Sequence, residues 1–169
     1  PAGDGSLSVA VLEALVTAAR QRDVKPDNGA ETVANLISNG SDPVKSAAIR
    51  LAGAWKLQGV RGKLEELARE PGSAERGAPV LEALAALGSS EGIFHHLLHE
   101  RLTYVIPYTA EIIANYARLN AKAASADAAA FLGGNWNLKD DAEGSAAAAK
   151  VVEAFLAQKD GPGILATAL

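Results

Sequence analysis

The three histidines of this chain, His95, His96 and His99, fall together in the stretch GIFHHLLHERLTY, with Glu91 and Glu100 on either side. Imidazole and carboxylate groups at this density can hold a divalent cation, relay a proton or recognise a partner. On a helix, His95 and His99 stand one above the other, and Glu91 lies a further turn back on the same face. Two imidazoles and a carboxylate so spaced are three of the four ligands of a zinc site. Against that reading, the metalloprotease pattern His-Glu-x-x-His is absent, and the chain has no further His and no Cys to complete the shell. A fourth ligand would have to be a carboxylate or water. The competing readings are a partner contact made through the imidazoles and, the one adopted here, the polar outer side of a helix. His95, His96, His99 and Glu91 are therefore candidate binding residues, with no metal, no cofactor and no catalytic residue assigned.

The elements that position them follow from periodicity. At about 100° per residue, Phe94, Leu97, Leu98, Arg101 and Leu102 cluster into a stripe that must be buried. That stripe places His96 nearly opposite, in solvent, and His95 and His99 on its shoulder. The same spacing of three and four runs through LSVAVLEALVTAARQR, where Val9, Leu12, Leu15, Val16 and Ala19 paint one face of a helix. Continued along the chain, the pattern gives about ten helices, longer and shorter members alternating, and no strand. Punctuation agrees with this reading. Ser6 or Ser8 can cap the first helix, Asn39 and Gly40 suit a left-handed C-terminal cap, and Asp42 can cap a helix that has Pro43 at its first position. Ser41, Ser73, Ser89 and Ser90 stand at helix starts and read as caps rather than nucleophiles. GGNWNLKDD, residues 133–141, lacks the ligand spacing of an EF-hand, and Trp136 within it reads as a packing plug. GPG at Gly161 is followed by no Gly-Lys-Ser or Gly-Lys-Thr, so it is no phosphate loop.

Composition bounds the function. The 169 residues, 49% apolar and 21% charged, suit one soluble domain spanning 1–169 with a substantial core. Sixteen basic residues against 20 acidic ones give a net charge of −4, and they are scattered singly from Arg20 to Lys159. That distribution offers no footprint for a phosphate backbone, so nucleic acid is not an expected partner. The lack of cysteine excludes disulfides, thiolate sites and thiol catalysis. No apolar run reaches the roughly 18 residues of a spanning helix, so no membrane is expected. The opening PAGDGS and the lack of Met suggest a processed protein or a piece of a longer one, with residues 1–5 as a flexible tail.

The helices also repeat. VLEAL at 11–15 recurs letter for letter at 80–84, and aligning on it brings Ala48, Ile112 and Val151 to the same slot opening as Val11 and Val80. The openings lie about 35 residues apart, the period of helical-hairpin repeats. This predicts an α-solenoid of about five hairpins, the alternative being an irregular helical bundle. DPVKSAAIRLAG, residues 42–53, resembles the first helix of a HEAT repeat, with its Asp-Pro start, Val before a basic residue, paired alanines and closing Leu and Gly; EALAALG, 82–88, resembles the end of the same helix. The remaining units match by spacing alone. Alanine-rich segments of this kind, with a GPG near the end, are also similar to the HEAT-like segment of large exported planctomycete and verrucomicrobial proteins that resemble sugar dehydrogenases and bind haem elsewhere. The resemblance implies an all-α superhelix of HEAT or ARM type, first helices on the convex side and second helices, the histidine helix among them, on the concave side. It implies a non-catalytic module that binds a protein partner or spaces flanking domains of the same polypeptide. Its alternative is an accessory domain of an oxidoreductase-like enzyme that lends a histidine-lined surface to a metal or substrate site.

Overall fold

A computed structural model describes residues 4–22, 29–69, 74–88, 91–99, 106–134 and 141–169, and each periodic run within them is a helix. The helices are α1 (Asp4–Arg22), α2 (Gly29–Asn39), α3 (Asp42–Ala54), α4 (Arg61–Arg69), α5 (Ala74–Leu87), α6 (Glu91–His99), α7 (Ile106–Leu119), α8 (Ala121–Leu132), α9 (Ala142–Leu156) and α10 (Gly161–Ala168). A 3-10 turn, Gln58–Val60, leads into α4. No strand occurs among the described residues, and the protein is all-α.

Local chemistry sets the ends. Asn120 and Asp141 lie in extended backbone, and their side chains accept from Ala123 N at 3.0 Å and Gly144 N at 2.9 Å. Each thereby satisfies one of the N–H groups that a first helical turn leaves without a partner. Of the two capping residues expected at α3, one holds the position. Ser41, not Asp42, is the extended N-cap, no side chain bonds across it, and Pro43 occupies the first turn, where its missing N–H removes one donor that would need a cap. Gly40 is not in the left-handed conformation expected of it, which among the described glycines is taken by Gly88 (φ 71°) and Gly134 (φ 85°). What Gly40 supplies is room, since a Cβ there would lie 2.6 Å from the Leu36 carbonyl oxygen and 2.9 Å from Val44. α1 begins at Asp4, ahead of both serines expected to cap it. Ser73, Ser89, Ser90, Glu100, Arg101, Leu102 and Trp136 lie outside the described residues.

Packing divides the chain into two compact units, Pro1–Leu87 and Gly88–Leu169. In the first, α1 packs on α3 and α3 on α5, while α2 lies against α3 and α4 against α5. In the second, α7 packs on α9, α6 and α8 lie against α7, and α10 lies against α8 and α9. Successive longer helices are thus stacked, and the shorter ones cover them. Residues of the same slot meet across each stack. Glu13 and Arg50, both third letters of their slots, approach to 3.6 Å between α1 and α3. Glu111 and Lys150, both immediately ahead of their slots, form a salt bridge between α7 and α9. The Glu111 side chain is 8% exposed, and Asn115 shares it by donating to its carboxylate at 3.2 Å while accepting from Arg118 at 3.0 Å.

Small residues set the spacing of these stacks. Ala47, Ala48 and Ala52 of α3 are fully buried. A Cβ on Gly53 would stand 2.9 Å from the Cα of Ala83, so α3 and α5 meet nearly backbone to backbone. The bulk of each core then comes from larger side chains around those contacts: Leu51, Leu64, Leu81 and Leu84 in the first unit, Phe94, Phe131, Phe155 and Ile113 in the second. Ala48→Leu forces three added carbons into a filled space, an overpacking that costs about 1 to 3 kcal/mol. Denaturant unfolding of the variant should show the midpoint falling; an unchanged midpoint would mean that α3 is not enclosed on this face.

Candidate functional site

The histidine stretch is α6, and its buried side consists of Ile93, Phe94, Leu97 and Leu98. Ile93 widens the stripe on the side away from Leu98, which turns the helix relative to the expectation from sequence. His96, expected in solvent, is half-buried, and His95 and His99, expected on the shoulder, are exposed. The physical reason is that the stripe centres between Phe94 and Leu97, so His99 points most directly away from it.

Glu91, His95 and His99 accordingly form one line on the open face of α6. A matching line is supplied by α8. Asn120 donates from Nδ2 to Glu91 Oε1 at 3.1 Å, and His99 Nε2 lies 3.1 Å from Asp127 Oδ1. Asn120 and Asp127 are seven apart, two turns of one helical face. The two bridges therefore tie the start of α6 to the start of α8 and the end of α6 towards the end of α8, which makes these shorter helices parallel. Asn120 serves twice, since its Oδ1 caps α8 while its Nδ2 holds Glu91. The His95 and His99 rings lie 4.3 Å apart between centroids, tilted by 40°.

Beneath this ladder is α7. Tyr116 is buried, stacks on Phe94 at 5.7 Å with 11° between the ring planes, and stands near both carboxylates. Burial first, then Glu91 and Asp127, push its phenol above the ordinary value of 10.0. No family model, curated protein or solved structure matches this chain.

Chemically, the ladder splits the four candidate residues. Glu91 is committed to Asn120 and His99 to Asp127, an arrangement in which an ionised Asp127 fixes the proton of His99 on Nε2. Among the described residues no three His, Asp or Glu side chains are placed to hold a metal ion. Grooves among the described residues lie elsewhere. One of about 230 Å³ in the first unit is lined by Arg20, Arg50, Lys56 and Glu82 over Gly53 and Ala83. One of about 940 Å³ in the second runs between α8 and α10 past Lys122, Ser125, Lys159 and Thr167. Asn120 and Asp127 were missed by sequence reasoning, although two polar residues seven apart on one face of an alanine-rich helix were a signal that could have marked them.

The raised Tyr116 has a consequence for stability. An unfolded chain releases the phenolic proton near pH 10, whereas the folded one retains it, so stability held below that pH falls as pH rises through 10 towards the folded value. Tyr116→Phe should flatten this alkaline loss, measured as the denaturant midpoint across an alkaline pH series. The same decline in the variant would assign it to other groups.

Proposed function

We propose that the chain is a HEAT-like helical-repeat module that works by presenting its helices to a protein partner, or by holding flanking domains of its polypeptide apart, and that it is not itself a catalyst. The observation that carries this reading is the contact of residues at equivalent repeat positions on successive longer helices, Glu13 with Arg50 and Glu111 with Lys150. An irregular bundle has no reason to bring equivalent positions of its helices together twice, whereas stacked hairpins do so as a matter of register. The parallel course of α6 and α8, fixed by the Glu91–Asn120 and His99–Asp127 bridges, is what successive second helices of such a stack adopt. The match of residues 42–53 to a HEAT first helix, with its small residues buried, adds to it. In this reading the His95–His99 ladder lies on the partner-facing helices.

Small-angle X-ray scattering tests the proposal. The expected profile is that of a curved, somewhat elongated particle, and a compact sphere would overturn it.

A second reading is favoured by the His99–Asp127 pair. A carboxylate that orients an imidazole is the outer support of many metal and proton-transfer sites, so the ladder could be the part of a larger oxidoreductase-like enzyme's site that this chain contributes. Zinc titration by calorimetry separates the two readings. Stoichiometric uptake that His99→Ala abolishes supports the accessory-domain reading, and no uptake in either protein supports the interaction module.

A further inference from the structure

The small residues that let α3 and α5 meet also leave a trough above their contact. Gly53 and Ala83 must be small, because a Cβ on Gly53 would stand 2.9 Å from the Ala83 Cα. Ala54 and Ala86 are under no such constraint, Ala54 being half-buried and Ala86 exposed, yet they too carry only a methyl. The result is a groove of about 230 Å³ within the first unit.

Long charged side chains form its rim. Arg20 comes from the last turn of α1, Arg50 from α3 and Lys56 from just past the end of α3, with Glu82 of α5 as the acidic member. Three cations thus gather around one space in a protein whose net charge is −4. Arg50 is held by Glu13 at 3.6 Å, a pair whose Glu13 side chain is 57% exposed and which therefore weighs little against a competing anion. Among the described residues no ion pair engages Arg20, Lys56 or Glu82.

Lys56 also occupies a costly conformation. Lys56 N donates to Gly53 O at 3.1 Å and Leu57 N to Ala52 O at 3.0 Å, which closes α3 with residue 56 in the left-handed region at φ 50°. Glycine fills that position at no steric cost, whereas a lysine is strained there. Among the described residues it is the only non-glycine residue with positive φ. The fold does not call for it, since residue 56 is exposed and glycine would make the same backbone bonds. What the lysine adds is a cation on the wall of the groove, and strain kept in this way is a mark of functional positions.

We propose that this groove is a binding site for a phosphomonoester. Cations brought from α1, from α3 and from the turn after it surround one space, an arrangement that suits the three peripheral oxygens of a phosphate better than the two of a planar carboxylate. The two guanidinium groups add forks that bind phosphate oxygens in pairs. Three cations against Glu82 leave two positive charges, the complement of a phosphomonoester's charge of about −2. The groove is smaller than the roughly 300 Å³ at which pockets enclosing a whole ligand begin, so it holds the phosphate and leaves the rest of the ester outside.

The site is independent of the stacked-hairpin reading, since every member belongs to the first unit. Titration of the ¹⁵N-labelled chain with methyl phosphate at constant ionic strength should move the amide signals of Gly53, Ala54, Ala83 and Ala86 saturably. Acetate should bind several-fold more weakly. Ala86→Leu, which fills the trough from an exposed position, should abolish the response with circular dichroism unchanged. Arg20→Gln should weaken binding several-fold, and Glu82→Gln should strengthen it. Lys56→Gly gives the sharpest contrast: affinity should fall several-fold while the denaturant midpoint rises, because glycine relieves the left-handed strain. A phosphoserine peptide that binds more tightly than methyl phosphate assigns the ester to a phosphorylated partner, and equal or weaker binding assigns it to a small molecule. No saturable shift with methyl phosphate, acetate binding as tightly, or full affinity in Ala86→Leu or Lys56→Gly would each overturn the site.

Discussion

The close approach of α3 and α5 at Gly53 and Ala83 governs the first unit. With nothing larger than the Ala83 methyl between the two backbones, the helices share a contact too narrow for any branched residue. Alanines and glycine bury little area each, so such a contact is weak in transfer terms. Its value is geometric, since it brings the flanking Leu51, Leu81 and Leu84 into one continuous core with Leu64 of α4. The second unit likewise buries alanines on its two longest helices, Ala114 and Ala117 of α7 and Ala147 and Ala154 of α9, and takes its bulk from Phe94, Phe131 and Phe155.

The second unit breaks the small-residue rule at one place. Where α3 has Ala47 and Leu51, α7 has Glu111 and Asn115, both buried. A carboxylate removed from water is costly unless it is paired and hydrogen-bonded, and here it has Lys150 from α9, Asn115 from its own helix, and Arg118 holding Asn115 in place. The pairing fixes the register of α7 against α9 in a way that alanines cannot, because a shift of one residue would leave Glu111 buried without a cation. Register is therefore held by fit in one unit and by charge in the other.

Seen through register, the histidine ladder is a consequence of the same order. Once α6 and α8 are laid parallel over α7, Glu91 faces Asn120 and His99 faces Asp127. Tyr116 beneath them feels both carboxylates because it projects from the helix that the other two cover. A polar surface of fixed geometry results, its side chains held by one another.

Sequence alone determined the all-helical architecture and most of its helix positions, because a spacing of three and four leaves no strand solution for these residues. It also marked 42–53 as a tightly packed helix, through alanines that are useful only where backbones approach. It could not tell that VLEAL is half open at 11–15 and closed at 80–84, since identical letters present identical faces and only the neighbouring helix decides what covers them. It misjudged which histidine is most open, because the burial of Ile93 depends on what α6 lies against rather than on the stripe's own period. The partners of Glu91 and His99 were beyond it for a related reason: Asn120 and Asp127 are about a repeat away along the chain. Pairing at that separation is set by how one helix is laid beside another, which is a property of the tertiary structure.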